Sequence, residues 1–92
     1  LQVWYTPGHS AGHVSFFHAE SNNLFSGDVL FQGSIGRTDL PGGSFPVLME
    51  TIRDQFLPLD DQVTVYPGHG PKTTIGAERQ ANPFILEYLL KG

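Results

Sequence analysis

Short apolar and aromatic runs alternate with polar turns over the first third of the chain, and the spacing changes further on. Leu1 to Thr6 predicts a strand, being rich in β-branched and aromatic types. Pro7 to Gly12 then breaks the pattern as a loop. Val14 to Ala19 predicts a second strand, with Val14, Phe16 and His18 on one face and Ser15, Phe17 and Ala19 on the other. Glu20 to Asn23 is turn chemistry and implies a hairpin. Leu24, Phe25 and Ser26 form a third short strand that ends at Gly27-Asp28. A long Gly-rich stretch, Val29 to Gly43, follows as a loop, and loops of that length are often functional.

From Pro46 to Leu57 the period lengthens. Leu48, Ile52 and Phe56 recur every four residues with Met49 beside them, which predicts a helix that Pro46 starts and Pro58 stops. Gln62 to Tyr66 is a fourth strand, and Thr74 to Ala81 a short helix. Asn82-Pro83 reads as the N-cap and first turn of a last helix to Lys91, buried through Phe84, Ile85, Tyr88 and Leu89. The expected fold class is α/β (α+β): one mixed or antiparallel sheet with helices packed on one face. Phe16, Phe25, Val63 and Val65 are candidates to line its faces.

Composition narrows the picture. Ninety-two residues make at most one small domain, and such a chain buries only roughly 60–65% of its unfolded surface. Metal, a partner chain or further sequence would each add stability. Eleven glycines and seven prolines imply many loops between short elements. A net charge of −4 with no block of like charges argues against a nucleic-acid partner. With no cysteine, disulfides and thiolate metal sites are excluded, so any metal must be held by His, Asp or Glu. No apolar run approaches the ~20 residues of a membrane span, and there is no signal-peptide pattern, so the expected setting is cytoplasmic and away from membranes. The chain starts with Leu1 inside a strand-like run, which suggests part of a larger protein.

Sorting the polar groups by position brings out candidate chemistry. His9 follows the first strand, Asp28 the third and His69 the fourth, each directly after Gly. A glycine there lets the backbone turn sharply and lets a bound atom come close. Two imidazoles and a carboxylate suit zinc, and also iron or manganese. Exposed turn histidines are the ordinary alternative for each Pro-Gly-His taken singly. His13 lies four residues from His9, a chelating interval on a helix, but Pro7, Gly8 and Gly12 oppose a helix. Its expected role is to steady the loop by hydrogen bonding. His18 is expected on the surface. Arg37 and Asp39 read as a loop-bracing pair, and Glu78, Arg79 and Asn82 as cap and salt-bridge residues.

The stretches "TPGHSAGHVSF", "LFSGDVLF" and "VYPGHGPKTTIGAERQANPF" resemble the last three metal motifs of the metallo-β-lactamase-fold hydrolases, in particular the glyoxalase II-like branch. The resemblance covers essentially the whole chain. It implies half of an αββα sandwich, with residues 1–92 the C-terminal portion of a single domain. It also implies that His9 ligates a first metal, Asp28 bridges two and His69 ligates the second. These three are then the catalytic and metal-binding residues of this chain, with two zinc ions per full domain. The family's upstream His-x-His-x-Asp-His motif is absent from this sequence. The family's chemistry is attack of a metal-activated hydroxide on a thioester or ester, from metals ~3.5–4 Å apart. With part of the ligand set missing, the chain alone is expected to be weakly active or inactive.

Three readings follow. The first is a glyoxalase II-like hydrolase of small-molecule thioesters or related esters; Gly70-Pro71-Lys72 after the last histidine departs from the Glu-Tyr usual for glutathione-specific members. The second is a mononuclear iron protein similar to persulfide dioxygenases, suggested by "GRTDLPGG", in which His9 and Asp28 bind iron and His69 is free. The third is a non-catalytic folding or oligomerisation unit. Expected macromolecular partners are a second copy or the missing N-terminal half, because one sheet face would lack its cover.

Overall fold

A computed structural model describes residues 1–91. Strands β1 (Gln2–Tyr5), β2 (Val14–His18) and β3 (Asn23–Gly27) form an antiparallel meander. The chain then makes a small separate hairpin, β4 (Leu30–Phe31) and β5 (Ser34–Ile35), within the stretch expected to be loop. Helix α1 (Phe45–Thr51) follows and runs into a single wide π-helical turn, Ile52–Phe56. Strand β6 (Thr64–Pro67) returns beside β3, and β7 (Thr73–Thr74) closes the edge. Helices α2 (Ile75–Ala81) and α3 (Pro83–Lys91) complete the chain.

The main sheet has the order β1-β2-β3-β6-β7. All its pairs are antiparallel except β3 with β6. The mixed sheet expected from the sequence is therefore present, and the one parallel pair matters most for function. A parallel connection needs a crossover, supplied here by the β4–β5 hairpin and α1. It leaves the C-terminal ends of β3 and β6 side by side.

Helices cover one face only. Phe17, Leu24 and Val65 of the sheet meet Leu48, Met49, Ile52, Phe56, Ile75 and Ile85 from the helical layer, with Val29, Leu30 and Val63 in the same core. Phe56 is fully buried, and its truncation to alanine would cost about 3–5 kcal/mol. The other face is open. Register aligns Val3, Phe16, Phe25 and Tyr66 across four strands, and Val3, Phe16 and Phe25 are exposed. Of the residues expected to line sheet faces, Phe16 and Phe25 take the open side; Val63 and Val65 are buried.

Helix ends follow their local chemistry. Ser44 caps α1 one residue earlier than expected, its Oγ accepting from the Val47 amide at 3.4 Å, and Pro46 sits in the first turn where no backbone donor is lost. Thr74 caps α2 and Asn82 caps α3, the Asn82 Oδ1 accepting from the Phe84 and Ile85 amides. The buried face of α3 is narrower than its periodicity implied. Ile85 is buried and Tyr88 packs against the core, but Phe84 and Leu89 are exposed, because only one narrow stripe of α3 meets the core. Among the described residues no helix is long and apolar enough to cross a membrane.

Candidate functional site

The site grows from three strand ends. After β1, the Thr6 amide donates to the His13 carbonyl at 2.9 Å and closes the loop between them. Helix α1 holds that loop from behind: the Ser44 amide donates to the Gly8 carbonyl at 2.7 Å, and Thr51 Oγ1 donates to the Pro7 carbonyl at 2.8 Å. His9 is thereby carried on a braced loop. After β3, Asp28 follows directly on Gly27. After β6, the Gly68 amide donates to the Gly27 carbonyl at 2.8 Å, which joins the ends of the parallel pair and sets His69 beside Asp28. Binding groups at the carboxyl ends of neighbouring parallel strands are a recurrent outcome of α/β topology.

His9, Asp28 and His69 border one cavity of about 340 Å³, together with Phe31, Ser34, Ile35, Gly36 and Arg37. His9 Nε2 lies 3.6 Å from Asp28 Oδ2, and His69 Nδ1 lies 3.4 Å from Asp28 Oδ1. The two imidazoles thus face different oxygens of one carboxylate. Among the described residues, no three His, Asp or Glu side chains converge on a single point where they could hold a metal ion. The arrangement is instead a carboxylate flanked from two sides.

Hydrogen bonding determines which nitrogens are available. His9 Nδ1 is 2.9 Å from the Arg37 carbonyl, which can only accept, so Nδ1 carries a proton and Nε2 is the ring nitrogen turned towards Asp28. His13 Nε2 is 3.0 Å from the Ser26 carbonyl and by the same logic donates to it. It ties the His9 loop to β3. His9 and His13 meet edge to face, with ring centroids 6.1 Å apart. His69 is the more exposed imidazole, and the Phe31 ring rests against it at 5.1 Å between centroids.

Asp28 is the centre of this cluster and its least satisfied member. Oδ1 is buried and has no hydrogen-bond partner among the described residues. A buried carboxylate oxygen without a donor is costly, and a cation is one way to offset it. The backbone around Asp28 is correspondingly bare. A Cβ on Gly68 would stand 2.6 Å from Oδ1, and one on Gly36 would overlap the Asp28 carbonyl. The donor set and the orphaned oxygen fit a divalent metal.

Several cavity residues were not anticipated. Phe31, Ser34 and Ile35 come from the β4–β5 hairpin and Gly36 directly follows it, all within a stretch read as loop. The available signal was Gln32-Gly33, a two-residue turn between Leu30-Phe31 and Ser34-Ile35. Arg37 lines the cavity and also pairs with Asp39 as expected, through bonds of 2.9 and 3.0 Å. That pairing raises the Arg37 guanidinium above its usual range and lowers the Asp39 carboxyl, chiefly through the shared side-chain hydrogen bond. His18 bonds Ser21 at the strand end, away from the site.

The family profile described as the Metallo-beta-lactamase superfamily matches residues 1–71. The chain is 48% identical over 85 residues to hydroxyacylglutathione hydrolase GloC of Haemophilus influenzae, covering 92% of this chain and 40% of that protein. The crystal structure of TTHA1623 in a di-iron-bound form superposes with a TM-score of 0.87 at 49% identity, covering 90% of this chain and 41% of that one. ETHE1 from Myxococcus xanthus superposes with a TM-score of 0.83 at 34% identity, covering 89% and 37%. The chain therefore spans about two fifths of the length of these proteins. The matched profile, the mixed sheet and the strand-end cluster agree, and the chain belongs to the metallo-beta-lactamase superfamily.

Proposed function

We propose that the chain is part of a metal-dependent hydrolase of thioesters or related esters, with His9, Asp28 and His69 as metal ligands. The observation that carries this reading is the approach of two imidazoles to opposite oxygens of Asp28, one of them buried without a donor. Such a carboxylate suits a bridge between two cations, His9 serving one and His69 the other. Divalent ions held there would acidify a water and polarise an acyl carbonyl. The protein's own contribution is orientation. The Arg37 carbonyl fixes the His9 tautomer, His13 ties the loop to β3, and Phe31 limits the swing of His69. Phe31 and Ile35 offer an apolar wall for an acyl or thiol portion, and Arg37 adds a polar rim.

These residues hold no His-x-His-x-Asp-His motif, and in this proposal the remaining ligands come from outside them. The open face bearing Val3, Phe16, Phe25 and Tyr66 is the natural seat for a second sheet. Bound metal per protein and thiol release from a hydroxyacyl-glutathione thioester test the proposal. Two divalent ions per complete domain and hydrolysis lost in His9→Ala and His69→Ala are expected. Full hydrolysis in both variants would refute it.

Similarity to ETHE1 and the exposure of His69 favour a second reading: one iron on His9 and Asp28, with His69 free, in a persulfide dioxygenase. One iron per domain, and oxygen uptake with glutathione persulfide that survives His69→Ala, would select it.

A further inference from the structure

A buried polar cluster behind the cavity has no part in the chemistry above. Glu78 is 3% exposed and Asn82 fully buried. Among the described residues no basic side chain pairs with Glu78. Its Oε1 accepts from the Gly33 amide at 2.9 Å and from Asn82 Nδ2 at 2.9 Å, and its Oε2 accepts from Thr73 Oγ1 at 2.6 Å. Asn82 Nδ2 also donates to the Ser34 carbonyl at 3.0 Å. Two of these bonds do not serve α2, α3 or β7. They reach across 45 and 48 residues to Gly33 in the turn of the β4–β5 hairpin and to Ser34 at the start of β5.

That hairpin is too short to be held by its own ladder. It nonetheless supplies Phe31, Ser34 and Ile35 to the cavity and leads directly into Gly36 and Arg37. The Gly36 amide donates to the Val29 carbonyl at 3.0 Å, and the Arg37 carbonyl accepts from His9. A continuous line of hydrogen-bonded backbone thus runs from the α2–α3 junction, through the hairpin, to the His9 ring.

We propose that Glu78 and Asn82 are positioning residues: they clamp the β4–β5 hairpin and, through the Arg37 carbonyl, hold His9 in the tautomer that presents Nε2 to the cavity. The proposal rests on the reading of this cavity as the reactive site. Expending a buried carboxylate on a hairpin turn is otherwise unexplained, since helix capping at Asn82 uses Oδ1 and leaves Nδ2 free for other work.

The test compares three variants by nuclear magnetic resonance, without substrate and at constant pH. Asn82→Ser keeps an N-cap but cannot reach Ser34. Glu78→Ala leaves the Gly33 amide without an acceptor, whereas Glu78→Gln keeps a carbonyl oxygen there. The Gly33 and Gly36 amides are expected to exchange about tenfold faster in Asn82→Ser and Glu78→Ala, while the central-strand amides of Leu24 and Val65 hold steady. The His9 ring nitrogens should lose their single-tautomer signature in both and keep it in Glu78→Gln. Unchanged Gly36 exchange and an unchanged His9 tautomer in Asn82→Ser would overturn the proposal. Neither readout involves hydrolysis, so an unaltered protein with no thioesterase activity would defeat the functional reading alone.

Discussion

Gly68 lies directly against the Asp28 carboxylate, close enough that a Cβ would stand 2.6 Å from Oδ1. The contact is with the end of a short side chain, so relief comes by rotating Asp28 rather than by moving a strand. Gly68→Ala is therefore expected to cost only about 1 kcal/mol of stability, the cost of an off-rotamer side chain. It should weaken divalent-metal binding at least tenfold, because the carboxylate leaves the line between His9 and His69. Calorimetric metal titration beside chemical denaturation checks both halves; unweakened binding would contradict the role given to Asp28.

Thr6 Oγ1 and Ser15 Oγ share a hydrogen bond of 2.8 Å between fully buried hydroxyls, just behind the His9 loop. Removing one partner strands the other. Thr6→Val is expected to destabilise by about 1–3 kcal/mol, and Thr6→Val with Ser15→Ala by clearly less than the sum of the single changes. Urea unfolding of the two singles and the double measures this coupling. Additive losses would show that the pair contributes no coupling.

The Arg37–Asp39 pair makes an acid-side prediction. Asp39 titrates below its ordinary 3.8 in the folded chain, chiefly through the hydrogen bond from Arg37. A depressed carboxyl stabilises the fold fully above its unfolded value and loses that contribution as pH falls through the folded one. Both side chains are well exposed, so the effect is small and screened by salt. Asp39→Asn should flatten this part of the acid limb of a stability–pH profile at low ionic strength, by lowering stability slightly near neutrality and leaving the acid end unchanged. A variant profile that runs parallel to the original throughout would rule the pair out.

The open face predicts association. Val3, Phe16 and Phe25 are exposed in one row across β1, β2 and β3, continued by Tyr66, whose ring stacks on Phe25 at 5.2 Å. A contiguous apolar row of this kind seeks cover. The 92-residue chain by itself is expected to self-associate at micromolar concentration, and Phe16→Ser with Phe25→Ser to shift it towards monomer. Sedimentation velocity decides; a monodisperse monomer for the unaltered chain would count against the face as a docking surface.

Much of this molecule is determined locally. Pro-Gly after a β-rich run ends two of the strands and Gly27 ends a third, so the three strand ends and the histidine or aspartate behind each were legible. So was the bracing of Arg37 by Asp39, because the partners lie two residues apart. Caps at Thr74 and Asn82 follow from side chains that bond the next turn of their own helix. The bare glycines around Asp28 could be noticed as glycines, but not for what they adjoin.

Tertiary structure decided the rest. Two-residue strands such as β4, β5 and β7 carry too little periodicity to be read, and form only where the remaining fold supplies partners. The exposure of Phe84 and Leu89 depends on which stripe of α3 meets the core, not on its period. The parallel pairing of β3 with β6 sets Asp28 beside His69, some forty residues apart in sequence, and no local signal encodes that choice of neighbour. Glu78 shows the difference most clearly. The sequence suggests a cap or salt-bridge residue, yet burial against Gly33 and Asn82, with no ion pair among the described residues, makes it a link between the last helices and the cavity wall. Local chemistry chooses how a segment bends; only the packed chain, by deciding which polar groups lose water, chooses what they must bond.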